Sequence, residues 1–145
     1  MKKLSWCTFF YLSMFIPFVM GMGVLGEGPA NQIPAPGKKF SATFIDQTDM
    51  VTTCSEVSIE GNTFIEGKIG EGTYTIPFEK IAGISFVMKG NELSGLVKMT
   101  DRSEANLILK KELKAYGRTS YGTYQIKLSS LKKMILKDTQ SSRKE

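Results

Sequence analysis

No histidine occurs among the 145 residues of this chain. Its absence removes the commonest general base, the Ser-His-Asp arrangement and most transition-metal ligand sets. Cysteine is almost as scarce: Cys7 lies in an apolar leader, and beyond it Cys54 stands alone. One thiol can neither close an internal disulfide nor build a structural zinc site, so the fold must stand on packing. Cys54 is expected as a small hydrophobe on a strand, with a reactive thiol or an intermolecular bridge as the other reading. The single tryptophan, Trp6, is also in the leader. After the leader no segment has a convincing helical period, which points to an all-β chain. No cofactor and no metal is expected from this inventory.

The leader has the order basic, apolar, small: Lys2 and Lys3, then Leu4 to Met20 without a charge, then Gly21-Met22-Gly23. That order predicts a signal peptide at 1–23 and an exported protein, periplasmic or extracellular. Counted through Leu25 the run just reaches bilayer length, so an uncleaved inner-membrane anchor is the alternative. Cys7 lacks the small residues just before it that lipid attachment wants. Residues 24–38, rich in proline and glycine, read as a linker, and the polar tail 138–145 as a frayed end.

Between them lies a repeat. The residues GTYTIPFEKIAGISF (Gly72 to Phe86) return fifty positions later as GTYQIKLSSLKKMIL (Gly122 to Leu136), with Gly67/Gly117 matching upstream. Phe78/Leu128, Ile81/Leu131, Ile84/Met134 and Phe86/Leu136 keep an apolar side chain wherever a core needs one. With two or three residues of gap, FSATFIDQTD (Phe40 to Asp49) also pairs with LSGLVKMTD (Leu93 to Asp101). Two β-repeats are therefore expected, at 39–89 and 92–137. Alternation and turn residues predict strands at 40–45, 51–59, 63–69, 73–78 and 84–88, and again at 93–99, 105–110, 113–118, 123–128 and 132–137. Pro77 marks where pairing stops, and Phe78 with Ile81 suits a single 3₁₀ turn. Lys127 stands where the second copy would repeat that proline, so a less sharp break is expected there. A repeat of about 47 residues buries little by itself, which favours paired small barrels in close contact or one pseudo-two-fold sandwich.

The order strand, 3₁₀ turn, strand in IPFEKIAGISF resembles the end of Src-homology-3-like small barrels, over about 15 residues per copy. Polyproline recognition does not follow, because the paired tryptophans and acidic loop of that site have no counterpart. More broadly, YGRTSYGTYQIKLSSLKKMIL and EGKIGEGTYTIPFEKIAGISF resemble exported bacterial tandem β-repeat proteins of uncharacterised function. That resemblance spans nearly all the chain after the leader. It implies an envelope location and a binding or assembly role, and it names no ligand.

Charge is uneven. Residues 24–109 carry seven basic and eleven acidic side chains, whereas 110–145 carry ten and three. If Tyr124, Ile126 and Leu128 face the core, Lys127 faces out, and Lys110, Lys111, Lys114, Arg118, Lys127 and Lys133 make a basic face with Tyr116 and Tyr121 as stacking groups. The function expected from this is a non-catalytic binding or assembly module of the bacterial cell envelope, meeting an anionic envelope component or protein partner. Nucleic acid fits an exported protein poorly. The same lysines equally serve to keep β edges from pairing with other chains. A membrane-anchored accessory subunit of an envelope complex is the alternative, and a carboxylate-based hydrolase a remote one. For that chemistry Asp46 with Asp49, and Glu66 with Glu71, are the available pairs, although each reads first as turn chemistry. Gly67, Gly70 and Gly72 precede a strand rather than a helix, so they make no phosphate cradle.

Overall fold

A computed structural model describes residues 39–137. The expected leader, the linker and the tail lie outside the described residues. Ten strands form: β1 (Ser41–Asp46), β2 (Val51–Ile59), β3 (Phe64–Ile69), β4 (Gly72–Pro77), β5 (Ile81–Lys89), β6 (Glu92–Met99), β7 (Glu104–Leu109), β8 (Lys114–Thr119), β9 (Gly122–Lys127) and β10 (Leu131–Lys137). Single 3₁₀ turns at Phe78–Lys80 and Leu128–Ser130 separate β4 from β5 and β9 from β10. The protein is all-β, and its strands make one antiparallel sheet in the order β4-β3-β7-β6-β5-β10-β1-β2-β8-β9, curled into a half-barrel.

That order explains why neither paired barrels nor a two-sheet sandwich forms. The β3–β4 hairpin does not return to β2 but pairs through β3 with β7 of the later half. The β8–β9 hairpin likewise crosses back to pair with β2. Each half lends a hairpin to the other, and one cluster of buried side chains from Phe40 to Met134 serves both. The small apolar content of each half is thereby pooled in one core. Phe40 meets Phe78 edge-on with ring centroids 5.6 Å apart, and Phe44 lies 5.6 Å from the Tyr124 ring.

Corresponding segments of the two halves adopt corresponding contacts. Ala42 and Phe44 face Leu136 and Met134, as Gly95 and Val97 face Phe86 and Ile84. Gln47 N–H donates to the Ser130 carbonyl at 3.0 Å, and Thr100 N–H to the Lys80 carbonyl at 2.9 Å. The turn after β1 is closed by Asp46 Oδ1, which accepts from Thr48 N–H at 2.8 Å; the turn after β6 is closed by Asp101 Oδ1, accepting from Ser103 N–H at 2.9 Å. Gly67 and Gly117 press against the neighbouring strand so closely that an added Cβ would lie 2.7 Å from Leu107 Cβ and 2.5 Å from Cys54 Cβ. Glycine is retained there because the backbones must approach.

The less sharp break expected at Lys127 is not found. Lys127 has φ −68° and ψ 143°, beside −68° and 147° for Pro77. The break is set by the buried residue that follows: Phe78 N–H donates to the Thr63 carbonyl at 2.9 Å and Leu128 N–H to the Leu113 carbonyl at 2.8 Å. Proline suits this backbone but is not needed to produce it.

Candidate functional site

Ala115 and Gly117 are buried, so alternation sends Lys114, Tyr116 and Arg118 to the outer face of β8. Opposite them on β9 stand Lys127, Gln125 and Thr123. The two-residue connection makes Thr119 and Gly122 a hydrogen-bonded pair, and counting back makes Lys114 and Lys127 a non-hydrogen-bonded one, the type in which side chains approach most closely. Lys110 and Lys111 precede this pair in the turn after β7. Lys111 Nζ donates to Asn91 Oδ1. Among the described residues no ion pair forms at Lys110, Lys114 or Lys127.

Arg118 shares this face but its charge is taken up. Its Nε lies 2.7 Å from Glu56 Oε2, and Lys39 Nζ lies 3.1 Å from Glu56 Oε1. The hydrogen bond from Lys39, with the Arg118 charge beside it, holds the Glu56 carboxyl below its ordinary range. The second basic–acidic link between the halves is Lys132 to Asp49, at 2.6 Å. Part of the charge asymmetry of the sequence is therefore used inside the molecule. Lys133 stands apart, on β10 opposite Ile45 and Ser85 and three strands from β8. Tyr121 is fully exposed at the far tip of the β8–β9 hairpin, roughly 20 Å along the strand from Lys114 at about 3.3 Å per residue. Burial raises the Tyr116 hydroxyl above its ordinary range, with the Glu60 charge adding to it.

The carboxylate pairs are occupied locally. Asp46 Oδ1 also accepts from Thr48 Oγ1 at 2.6 Å and Met50 N–H at 3.0 Å, and the Thr48 hydroxyl bond lowers its pKa against a smaller desolvation effect. Glu66 accepts from Thr75 Oγ1 at 3.4 Å, on the outer face of the β3–β4 hairpin. Among the described residues no three Cys, Asp or Glu side chains converge as a metal site would require. Cys54 is 1% exposed beneath Gly117, and burial pushes its thiol up to about 11. At neutral pH such a thiol is protonated and unreactive.

Sequence reasoning missed a groove. On one side of the sheet β2 stays beside β8 through Ser55–Arg118, Ser58–Tyr116 and Ile59–Ala115, passing a bulge at Glu56 with φ 50°. At the equivalent place β7 meets β3 only at Lys68–Ile108 and then turns away. The fork so opened is a cleft of about 600 Å³ lined by apolar Ile59, Phe64, Ile108 and Leu113 and by charged Glu60, Glu66, Lys68 and Lys110. A trace of it exists in the sequence. Matching β1 to β6 needs an offset of 53 and matching β4 to β9 an offset of 50, so the first half holds three extra residues between them. They fall within β2, where the bulge at Glu56 lies and which is nine residues long against six in β7.

A family model described as "Uncharacterised protein" matches residues 36–139. No curated protein and no solved structure matches the chain.

Proposed function

We propose that this chain, which belongs to the uncharacterised protein family whose model spans residues 36–139, is a non-catalytic binding module of the bacterial cell envelope that holds an anionic partner on the outer face of its β8–β9 hairpin. The observation that carries the reading is the direct opposition of Lys114 and Lys127. Like charges facing each other across strands are destabilising, and the equivalent positions in the other hairpin hold Phe64 and Pro77. An anion seated between the two ammonium groups offsets that cost, with Lys110 and Lys111 extending the positive field and Tyr116 offering a ring beside it. The order Lys2-Lys3, apolar run, small residues supports export, cleaved or anchored. The corresponding contacts of 39–89 and 92–137 support an origin in two copies of one unit, after which only one hairpin acquired the lysine pair.

Retention of the full-length chain on heparin across a salt gradient, together with co-sedimentation with vesicles containing anionic phospholipid, tests this. Lys114→Glu with Lys127→Glu should lower affinity at least tenfold and flatten the salt dependence, whereas Lys133→Glu should change little. Unchanged binding by the double variant, or equal loss in Lys133→Glu, would remove the β8–β9 face as the site.

A further inference from the structure

The fork between β3 and β7 leaves a free strand edge facing its interior. The β3–β4 hairpin closes on the pair Ile69–Gly72, so Ile69, Gly67 and Ile65 direct their backbone groups to β4, and Lys68, Glu66 and Phe64 direct theirs the other way. Pro77 agrees with that parity, since it stands opposite Phe64 in a pair that needs no N–H from it. Lys68 finds Ile108, but no β7 residue pairs with Glu66 or Phe64. Their N–H and C=O groups therefore point into the cleft.

The other half shows what such an edge takes. There the equivalent groups belong to Tyr116 and Lys114, and the segment running alongside them is the end of β2. Ser58 pairs with Tyr116. Glu60 N–H donates to the Lys114 carbonyl at 3.0 Å, and Glu60 Oε1 accepts from Lys114 N–H at 2.7 Å. The occupant of the closed seam reads Val57-Ser58-Ile59-Glu60, apolar, small, apolar, acidic, extended through Ile59 and turning at Glu60, whose φ is 49°.

We infer that the open fork is a strand-addition site for an extended peptide of a partner protein, of the pattern apolar-small-apolar-acidic, which pairs with Phe64 and Glu66 as Ser58–Glu60 pairs with β8. The peptide edge continues the sheet already formed by Lys68–Ile108, so the new ladder extends an existing one. The apolar side chains of Phe64, Ile108 and Leu113 receive its apolar positions. Lys68 and Lys110, which form no ion pair among the described residues, complement its acidic end. The cleft volume of about 600 Å³ lies within the roughly 300–1,000 Å³ of ordinary ligand clefts. The two outermost strands are poorer hosts. By the same parity the outer edge of β4 carries Pro77 and that of β9 carries Lys127, both devices that discourage strand addition. The site does not depend on the anion-binding reading above.

The test is an amide-resolved titration of the full-length chain with an acetylated, amidated peptide of sequence EVSIEGN, that of Glu56–Asn62, raised to about 1 mM. Saturable shifts centred on Phe64–Lys68 and Ile108–Leu113 are expected. A peptide carrying Ser58→Pro, which lacks the pairing N–H, should bind at least tenfold more weakly. Ile108→Glu in the protein should weaken the parent peptide by a similar factor, while Lys133→Glu should leave it unchanged. Absence of shifts, equal binding of the proline peptide, or shifts centred on β4 or β9 would overturn the inference. The peptide pair keeps the test decisive even if Ile108→Glu fails to fold.

Discussion

The β2–β8 seam and the β3–β7 seam occupy equivalent places in one sheet and differ in how far pairing runs. Where β2 carries the extra residue Glu56, it turns with its neighbour and stays beside β8 to Ile59. Where β7 lacks such a residue, the strands part after Lys68–Ile108. A bulge, which adds twist, can thus determine whether a curled sheet closes at a seam or opens a cleft. A second contrast follows the same axis. Tyr124 packs against Phe44, but the residue equivalent to Phe44 is Val97, and Tyr74, without a ring to lie on, is 52% exposed. The later hairpin is thus held more firmly and carries the lysine pair, while the earlier one borders the groove.

The largest test of this comparison is to cut the chain. Because each half pairs its hairpin with the other, fragments divided between Gly90 and Asn91 should each lack cooperative unfolding and dispersed amide signals, and mixing should restore both. A folded fragment on its own would contradict the exchange of hairpins.

Next in size are the two close approaches. Gly117→Ala and Gly67→Ala should each cost about 1–3 kcal/mol in denaturant unfolding, because the added methyl meets Cys54 Cβ or Leu107 Cβ rather than a movable side-chain tip. Gly95→Ala should cost less, since its nearest neighbour is the flexible end of Leu109.

All ten strands and the first 3₁₀ turn were legible in the sequence because each is a short-range signal: alternation at Phe40, Ala42 and Phe44, turn residues at Asp46 and Asp101, the proline at position 77. Partnership was not legible. Nothing in the alternation of β3 says whether it pairs with β2 or β7, since period two specifies a face and not a neighbour. Of the residues expected in the basic face, Lys114, Lys127 and the stacking Tyr116 share a face with Arg118, but the sequence could not show that Glu56 neutralises Arg118 or that Lys133 lies three strands away. The three-residue change of offset between the halves was the one visible trace of the cleft.

Smaller effects sharpen the contrast between the hairpins. Lys127→Pro should stabilise by about 0.4–1 kcal/mol, because φ is already −68° and the residue's outer edge has no strand partner. It also removes the like charge opposite Lys114. The converse change, Pro77→Lys, should destabilise by a similar amount, measured as paired shifts in denaturant midpoint.

Least in size is the acid response. Glu56 has a folded pKa below its unfolded value, so its contribution is present above about pH 4.3 and is lost as pH falls through the folded value. Glu56→Gln should therefore lower stability at pH 7 and flatten its fall on acidification. An unchanged pH profile would show that the Lys39–Glu56–Arg118 cluster adds nothing to the closed seam.

Amide hydrogen exchange at four positions tests the difference between the seams most directly. Tyr116 and Lys114, bound by Ser58 and Glu60, should exchange slowly, while Phe64 and Glu66, facing the fork, should exchange faster by orders of magnitude. Equal protection at all four amides would mean that the β3–β7 seam is closed in solution, and would contradict both the open cleft and the strand-addition site built on it.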